Sequence, residues 1–147
     1  MIRDNRTTFA NPIALNTGAP ADYVIGDVVD LGVTGRDIGS GSESLWFVVI
    51  VSTTATGAGA SGQFHLGTSD AAALTAPTKV VSSTVIPVAS LTAGSVAFLV
   101  QLPPAIYKRY IGLVQTTSGA AFTAGAVRSF LVEDVNILRL YAQGFTG

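Results

Sequence analysis

The chain has 147 residues, 48% of them hydrophobic and 12% charged, with no cysteine and a formal net charge of -1. A chain of this length forms one domain and buries about two-thirds of the surface that it exposes when unfolded. The lack of cysteine excludes a disulfide framework and a thiolate zinc site. The near-zero net charge argues against duplex nucleic acid as a partner, because binding its backbone requires clustered Lys and Arg. Soluble domains usually carry about 25% charged residues, so this neutral surface indicates either a covering partner or simply a Thr-rich β protein.

The N-terminal sequence predicts neither a secretory signal nor a membrane anchor. Polar residues and an Asn-Pro pair follow Arg6, where a signal peptide would need an apolar stretch. The longest purely apolar run, Leu45–Val51, is far shorter than the roughly 20 residues that cross a bilayer. We therefore expect no secretion by that route and no membrane partner.

Short apolar runs recur between clusters of Gly, Ser, Thr and Pro, and no stretch keeps a helical spacing, which predicts an all-β protein. The predicted strands are Tyr23–Leu31, Leu45–Ser52, Gln63–Thr68, Lys79–Val88, Ser95–Leu102, Arg109–Thr116 and Ala126–Glu133. The predicted loops are Gly32–Gly41, Thr53–Gly62 and Thr116–Gly125. This number and spacing of strands favour a single-domain β-sandwich that is jelly-roll-like.

The chain ends differ from the middle. We expect residues 1–20 to form an N-terminal arm, residues 21–134 the sandwich, and residues 135–147 a C-terminal tail. Phe9, Tyr141 and Phe145 lie in these end segments without a regular strand pattern. Apolar arms of this kind either reach another subunit or fold back over their own sandwich, and the sequence leaves both options open.

Two patterns predict where strands sit in the sheets. The run Leu45–Val51 is apolar at every position, which predicts a central strand covered on both faces. The segments Gln63–Leu66 and Val127–Phe130 alternate, which predicts outer strands with one wet face each.

Candidate chemistry is sparse. His65 is the single histidine and lies mid-strand without a second His or Cys to share a metal. The loop Gly57–Gly62 matches G-x-G-x-x-G, but a strand pattern follows it where a dinucleotide site needs a helix. We therefore expect no enzymatic activity, no metal and no cofactor.

One stretch has a distinctive order. Asp30–Val51 reads as a strand end, a glycine turn, Arg-Asp-Ile-Gly and then an apolar strand. Further segments follow in a matching order: Leu66–Asp70, Ala76–Thr78, Leu102–Pro104, Arg109–Leu113 and Phe122–Val127. Together they cover about residues 2 to 134. The chain resembles the Bbp16-like family of phage capsid cement, or decoration, proteins.

This resemblance implies a jelly-roll-like sandwich that binds the outside of an icosahedral phage capsid and cements neighbouring major capsid protein subunits. It implies a structural protein without catalytic residues on the outer surface of a virion assembled in the host cytoplasm. Because oligomers are usually symmetric, we also expect copies on the shell to be dimers or trimers. Our candidate contacts with the capsid or between subunits are Ile2, Arg3, Asp4, Arg6, Phe9, Arg36, Asp37, Tyr141 and Phe145. Arg3 and Arg6 would pair with capsid carboxylates, and Phe9 would enter an apolar pocket. For Arg36 and Asp37, a turn-stabilising pair within the domain is the competing interpretation.

Two other functions remain open at this stage. A carbohydrate-binding sandwich, on a virion surface for example, would use tyrosines as stacking platforms, and the candidates are Tyr23, Tyr107, Tyr110 and Tyr141. A small enzyme would depend on His65.

Overall fold

The computed structural model describes residues 7–38, 45–104 and 106–133, with the backbone alone at positions 36, 37 and 106. Its strands are β1 (Thr8–Ala14), β2 (Asp22–Asp30), β3 (Arg36–Asp37), β4 (Trp46–Thr56), β5 (Ala60–Ser69), β6 (Thr78–Ser82), β7 (Ile86–Pro87), β8 (Val96–Gln101), β9 (Ile106–Tyr107), β10 (Tyr110–Gly119) and β11 (Ala124–Val132). A 3-10 turn, Val88–Ser90, follows β7. Among the described residues, no helix is long and apolar enough to cross a membrane.

The strands form two facing sheets with nested pairing. One sheet has the order β1-β11-β4-β8 and the other β2-β10-β5-β6, with β7 beside β5 and a separate β3-β9 ribbon. The first long strand pairs antiparallel with the last, β2 with β10, β4 with β8, and β5 with β6. The chain thus folds as one long hairpin wound across two sheets, which is the jelly roll. This confirms the predicted all-β, jelly-roll-like sandwich.

The core lies between the sheets and follows the two-residue period of the strands. Phe47, Val49 and Val51 of β4 point inward toward Phe64 and Leu66 of β5. Burying each such side chain stabilises the fold by about 1.5–3 kcal/mol. The outward residue Val48 is also fully buried, and β4 lies between β11 and β8. The predicted central strand with two covered faces is therefore confirmed.

Residues 8–14 correct the predicted N-terminal arm. They form β1, an edge strand whose Thr8 pairs with Phe130 and whose Ile13 pairs with Val127 of β11. The register breaks between Ala10 and Ile13, around Pro12. A proline cannot donate to the ladder and is tolerated at an edge. Because Asn11 and Pro12 interrupt the apolar alternation, the sequence pattern did not reveal this strand.

The predicted loop Thr53–Gly62 is mostly strand. β4 continues to Thr56 and β5 begins at Ala60, so only a short turn joins them. At Gly57, φ is +142° and an added Cβ would lie 2.6 Å from the Ala121 carbonyl oxygen, so glycine is required. The G-x-G-x-x-G match therefore marks a tight turn that leads into β5.

The two alternating segments are interior strands, contrary to the prediction of outer positions. β5 lies between β10 and β6, and β11 between β1 and β4. His65 and Phe130 point outward, yet each is only 2% exposed. Alternation shows which residues lie on each face of a strand. It does not show whether the strand lies inside its sheet or at the edge, nor how exposed each face is.

Candidate functional site

A row of polar side chains crosses the outer face of the β2-β10-β5-β6 sheet, and we call it the polar row. Its members are Asp22 on β2, His65 on β5, Lys79 and Ser82 on β6, and Thr116 on β10. The His65 Nδ1 atom lies 2.7 Å from Ser82 Oγ, and Nε2 lies 2.9 Å from Thr116 Oγ1. Lys79 forms a 2.8 Å ion pair with Asp22 and a 3.2 Å hydrogen bond to Thr116. The Thr116 hydroxyl also donates to Asp22.

The charges in the polar row are set by these contacts. Hydrogen bonds from Lys79 and then from Thr116 lower the pKa of Asp22. Burial, followed by the positive charge of Lys79, lowers the pKa of His65. The imidazole is therefore neutral near pH 7, with both ring nitrogens bonded to hydroxyl groups. A ring held in this way connects three strands. The described residues contain no group of three or more acidic, His or Cys side chains that could hold a metal.

A groove lies beside the polar row. The segment Asp70–Pro77, between β5 and β6, folds over the outer face of the sheet, and Leu74 is buried there. An added Cβ at position 112 would lie 3.0 Å from Leu74 Cδ2, so Gly112 makes room for that side chain. The groove, about 500 Å³, lies between this segment and β2, and Asp22 is the one charged residue among the described residues that line it.

A charged end forms where β2 finishes and β10 starts, and it consists of Asp30, Arg109 and Tyr110. Arg109 donates from Nε and Nη2 to the two Asp30 carboxylate oxygens, each at 2.9 Å. The guanidinium carbon lies 5.1 Å from the centre of the Tyr110 ring, as in a cation–π contact. These bonds from Arg109, with one from the Gly32 amide, lower the pKa of Asp30 to about 2.

The outer face of the β1-β11-β4-β8 sheet carries a patch of apolar side chains. Trp46, Val48 and Ile50 of β4 lie beside Phe130 and Val132 of β11, and we call these five residues the apolar face. Val48 and Phe130 are buried, and the other three are half-buried. A sandwich with a wet outer face would carry polar residues here.

Comparison with known proteins identifies the family of this chain. Residues 17–131 match the Bbp16 family, a stretch that runs from before β2 to near the end of β11. The chain belongs to the Bbp16 family. No curated protein matches it. The Bbp16 match covers most of the jelly roll, including the polar row and the charged end, and it stops before residues 132–147.

The structure places some of the predicted contact residues of this Bbp16-family chain. Phe9 is fully buried in the core and packs edge-to-face on Phe47, with ring centres 5.7 Å apart. Its predicted role as an anchor in a capsid pocket is therefore wrong, since the ring fills the chain's own core. The backbones of Arg36 and Asp37 pair with Tyr107 and Ile106 in the β3-β9 ribbon, where a turn was expected. The remaining candidates lie outside the described residues: Ile2, Arg3, Asp4, Arg6, Tyr141 and Phe145.

The tyrosines predicted as stacking platforms are engaged elsewhere. Tyr107 is fully buried and donates to the Pro103 carbonyl oxygen at 3.1 Å, so it offers no surface to a sugar. Tyr23 donates to the Ala19 carbonyl oxygen at 2.6 Å. Tyr110 lies under Arg109, and Tyr141 falls outside the described residues.

The sequence did not indicate the polar row or the charged end. Asp22, His65 and Thr116 stand on three strands far apart in the chain, and Asp30 is 79 residues from Arg109. Only strand register brings them together. The available signal was chemical: a lone histidine inside an apolar strand requires hydrogen-bond partners when it is buried.

Proposed function

We propose that this chain is a structural protein of a phage virion that binds the outer surface of an icosahedral capsid. There it cements neighbouring subunits of the major capsid protein, acting as a dimer or trimer. The observation that carries the proposal is the Bbp16 match over residues 17–131, taken with the resemblance of that stretch to phage capsid cement proteins. The low content of charged residues supports it, because little free energy is needed to desolvate a surface with few charges against another protein.

The mechanism needs binding and no chemical step. A protein that binds the assembled shell and not the separate subunits stabilises the shell by its binding free energy. Linked copies on a symmetric lattice reinforce one another through their effective concentration, so that each contact can be weak. A rigid jelly roll suits this role, because little conformational entropy is lost on binding.

The chain's N-terminal end is the first proposed contact. Arg3 and Arg6 precede β1, and Phe9 fixes the start of that strand in the core. These arginines are therefore tethered to a rigid point on the domain. We assign them to carboxylates of the capsid, with which guanidinium groups form paired, charge-assisted hydrogen bonds.

The second proposed contact is the ribbon that carries Arg36 and Asp37. The second strand of this ribbon, β9, ends at Tyr107, two residues before Arg109 of the charged end. The bidentate pair of Arg109 with Asp30 holds this end of the sandwich in one geometry. A rigid, partly charged end can fit a fixed subunit surface.

The test uses capsids that lack this protein. The purified chain should bind them in a fixed stoichiometry, measured by co-sedimentation and gel densitometry, and should raise their thermal disruption temperature. Replacing Arg3 and Arg6 by serine should weaken binding by about tenfold or more, since hydrogen bonds to charged groups contribute about 1.5–3 kcal/mol each. Arg128→Ser, at an exposed arginine on β11, is the matched control and should bind like the parent. Failure of the parent chain to bind capsids would overturn the proposal, and equal effects of both variants would overturn the arm assignment.

A further inference from the structure

The apolar face has the composition of a covered surface. Along one row Phe130 pairs with Val48, which pairs with Leu99, and along the next Val132 pairs with Trp46. Val48 is 0% exposed and Phe130 2% exposed, although both point away from the core between the sheets. These two outward-facing residues on adjacent strands are thus as little exposed to solvent as residues of the core.

The chain continues from the rim of this face. β11 ends at Val132, opposite Trp46, and Glu133 is the last described residue before position 134. Residues 134–147 contain Val135, Ile137, Leu138, Leu140, Tyr141 and Phe145, with one acidic and one basic residue, Asp134 and Arg139. The segment is therefore rich in apolar side chains and has no net charge.

The segment is long enough to cross the sheet. Extended chain advances about 3.3 Å per residue and neighbouring strands lie about 4.8 Å apart, so roughly five residues span a four-stranded sheet. Tethering at Val132 also gives the segment an effective concentration in the millimolar range, which a second molecule in dilute solution does not match.

We propose that residues 134–147 fold back over the outer face of the β1-β11-β4-β8 sheet of the same molecule and cover the apolar face. This inference does not depend on the proposed capsid function. It concerns a segment beyond the Bbp16 match, which stops at residue 131. It predicts that Tyr141 and Phe145 contact the chain's own surface and not a capsid subunit.

Trp46 reports on this cover because it is the only tryptophan and lies within the apolar face. In a variant that ends at Glu133, its emission should move to longer wavelength, and quenching by acrylamide should increase roughly twofold as apolar cover is lost. A synthetic peptide of residues 134–147 should reverse both changes. Circular dichroism establishes that the shortened chain keeps its sheets. Unchanged emission and quenching in a folded shortened chain would overturn the proposal.

A second measurement uses the full chain, so that it does not depend on the shortened variant folding. The protein has no cysteine, and Gln143→Cys therefore accepts a single nitroxide label. The label should quench Trp46 to the same fractional extent at every protein concentration. Val24→Cys carries the matched label on β2 of the opposite sheet, where Val24 is 39% exposed, and should leave Trp46 unquenched.

Two results would count against the inference. Equal Trp46 emission with the two labels would mean that the segment does not reach the face. Quenching that increases with protein concentration, together with dimers in sedimentation, would mean that a second copy supplies the cover. Neither experiment contains capsids, so failure here leaves the cement proposal standing, and failure to bind capsids leaves this inference standing.

Discussion

Arg109 binds the carboxylate of Asp30 through two parallel hydrogen bonds, Nε to Oδ1 and Nη2 to Oδ2, each 2.9 Å long. The pair exists because β2 and β10 align antiparallel with Asp30 opposite Tyr110. It joins the end of one strand to the start of the other at the charged end. Its strength therefore depends on the ionised state of a single carboxylate.

Asp30→Asn should lower the melting temperature at pH 7 and reduce the acid sensitivity of the fold. The folded pKa of Asp30 is lowered to about 2 from the ordinary value of 3.8. Its contribution is present above pH 3.8 and disappears as the pH falls through about 2. Melting curves between pH 7 and pH 2 should converge for the parent and the variant at the acid end. Asp27→Asn, at an exposed residue of the same strand, should show no such convergence, and parallel curves for Asp30→Asn would contradict the assignment.

The polar row should make stability depend on pH in the range where histidine titrates. The folded pKa of His65 is lowered from 6.5 by burial and by Lys79. The unfolded chain therefore binds the proton first, and stability falls as the pH decreases below about 6.5. In His65→Gln this slope should vanish, while stability at pH 8 drops by about 1–2 kcal/mol through the loss of a buried hydrogen bond. Urea unfolding from pH 8 to pH 5 measures both effects, and an unchanged slope in the variant would refute the role of His65.

Phe9→Ala should destabilise the domain by about 3–5 kcal/mol, the usual cost of truncating a buried phenylalanine. Phe9 is fully buried against Phe47. Deleting residues 1–10 should have at least this effect, because it also removes the first three of the seven residues of β1. Deleting residues 1–6 leaves β1 intact and is the matched control, with an expected loss in urea unfolding that is clearly smaller than that of the 1–10 deletion. A folded, stable 1–10 deletion would show that β1 is dispensable.

Gly26 and Gly32 form a matched pair for testing the contact of β1 with β2. Both have positive φ, +76° and +85°, so alanine carries the same backbone cost of about 1–2 kcal/mol at each. At Gly26 the added Cβ would also collide with the Phe9 carbonyl oxygen, whereas at Gly32 no atom lies within 4 Å. Gly26→Ala should therefore lower the free energy of unfolding by clearly more than Gly32→Ala. Equal losses in chemical denaturation would mean that the two strands do not approach as closely as described.

Much of the fold was readable from local pattern. Apolar runs of strand length between Gly, Ser and Thr clusters predicted six strands to within four residues of their observed bounds, and the β4 run predicted a central strand. The seventh prediction, Lys79–Val88, was wrong in extent, because the structure divides it into β6 and β7. The sequence pattern did not predict β1, because Asn11 and Pro12 break the apolar alternation and the strand depends on its pairing with β11. The β3-β9 ribbon, with two residues in each strand, is too short to leave a pattern.

The sequence by itself determined the class of fold, because the period of apolar residues along a strand is a local property and burial of one face follows from it. It also determined which residue types are available: one histidine, one tryptophan and no cysteine. Only the tertiary structure decided that Phe9 belongs to the core, that His65 bonds to Ser82 and Thr116, and that Arg109 meets Asp30. Those contacts depend on register between strands distant in the chain, and register is set by the packing of the whole sandwich rather than by any segment alone.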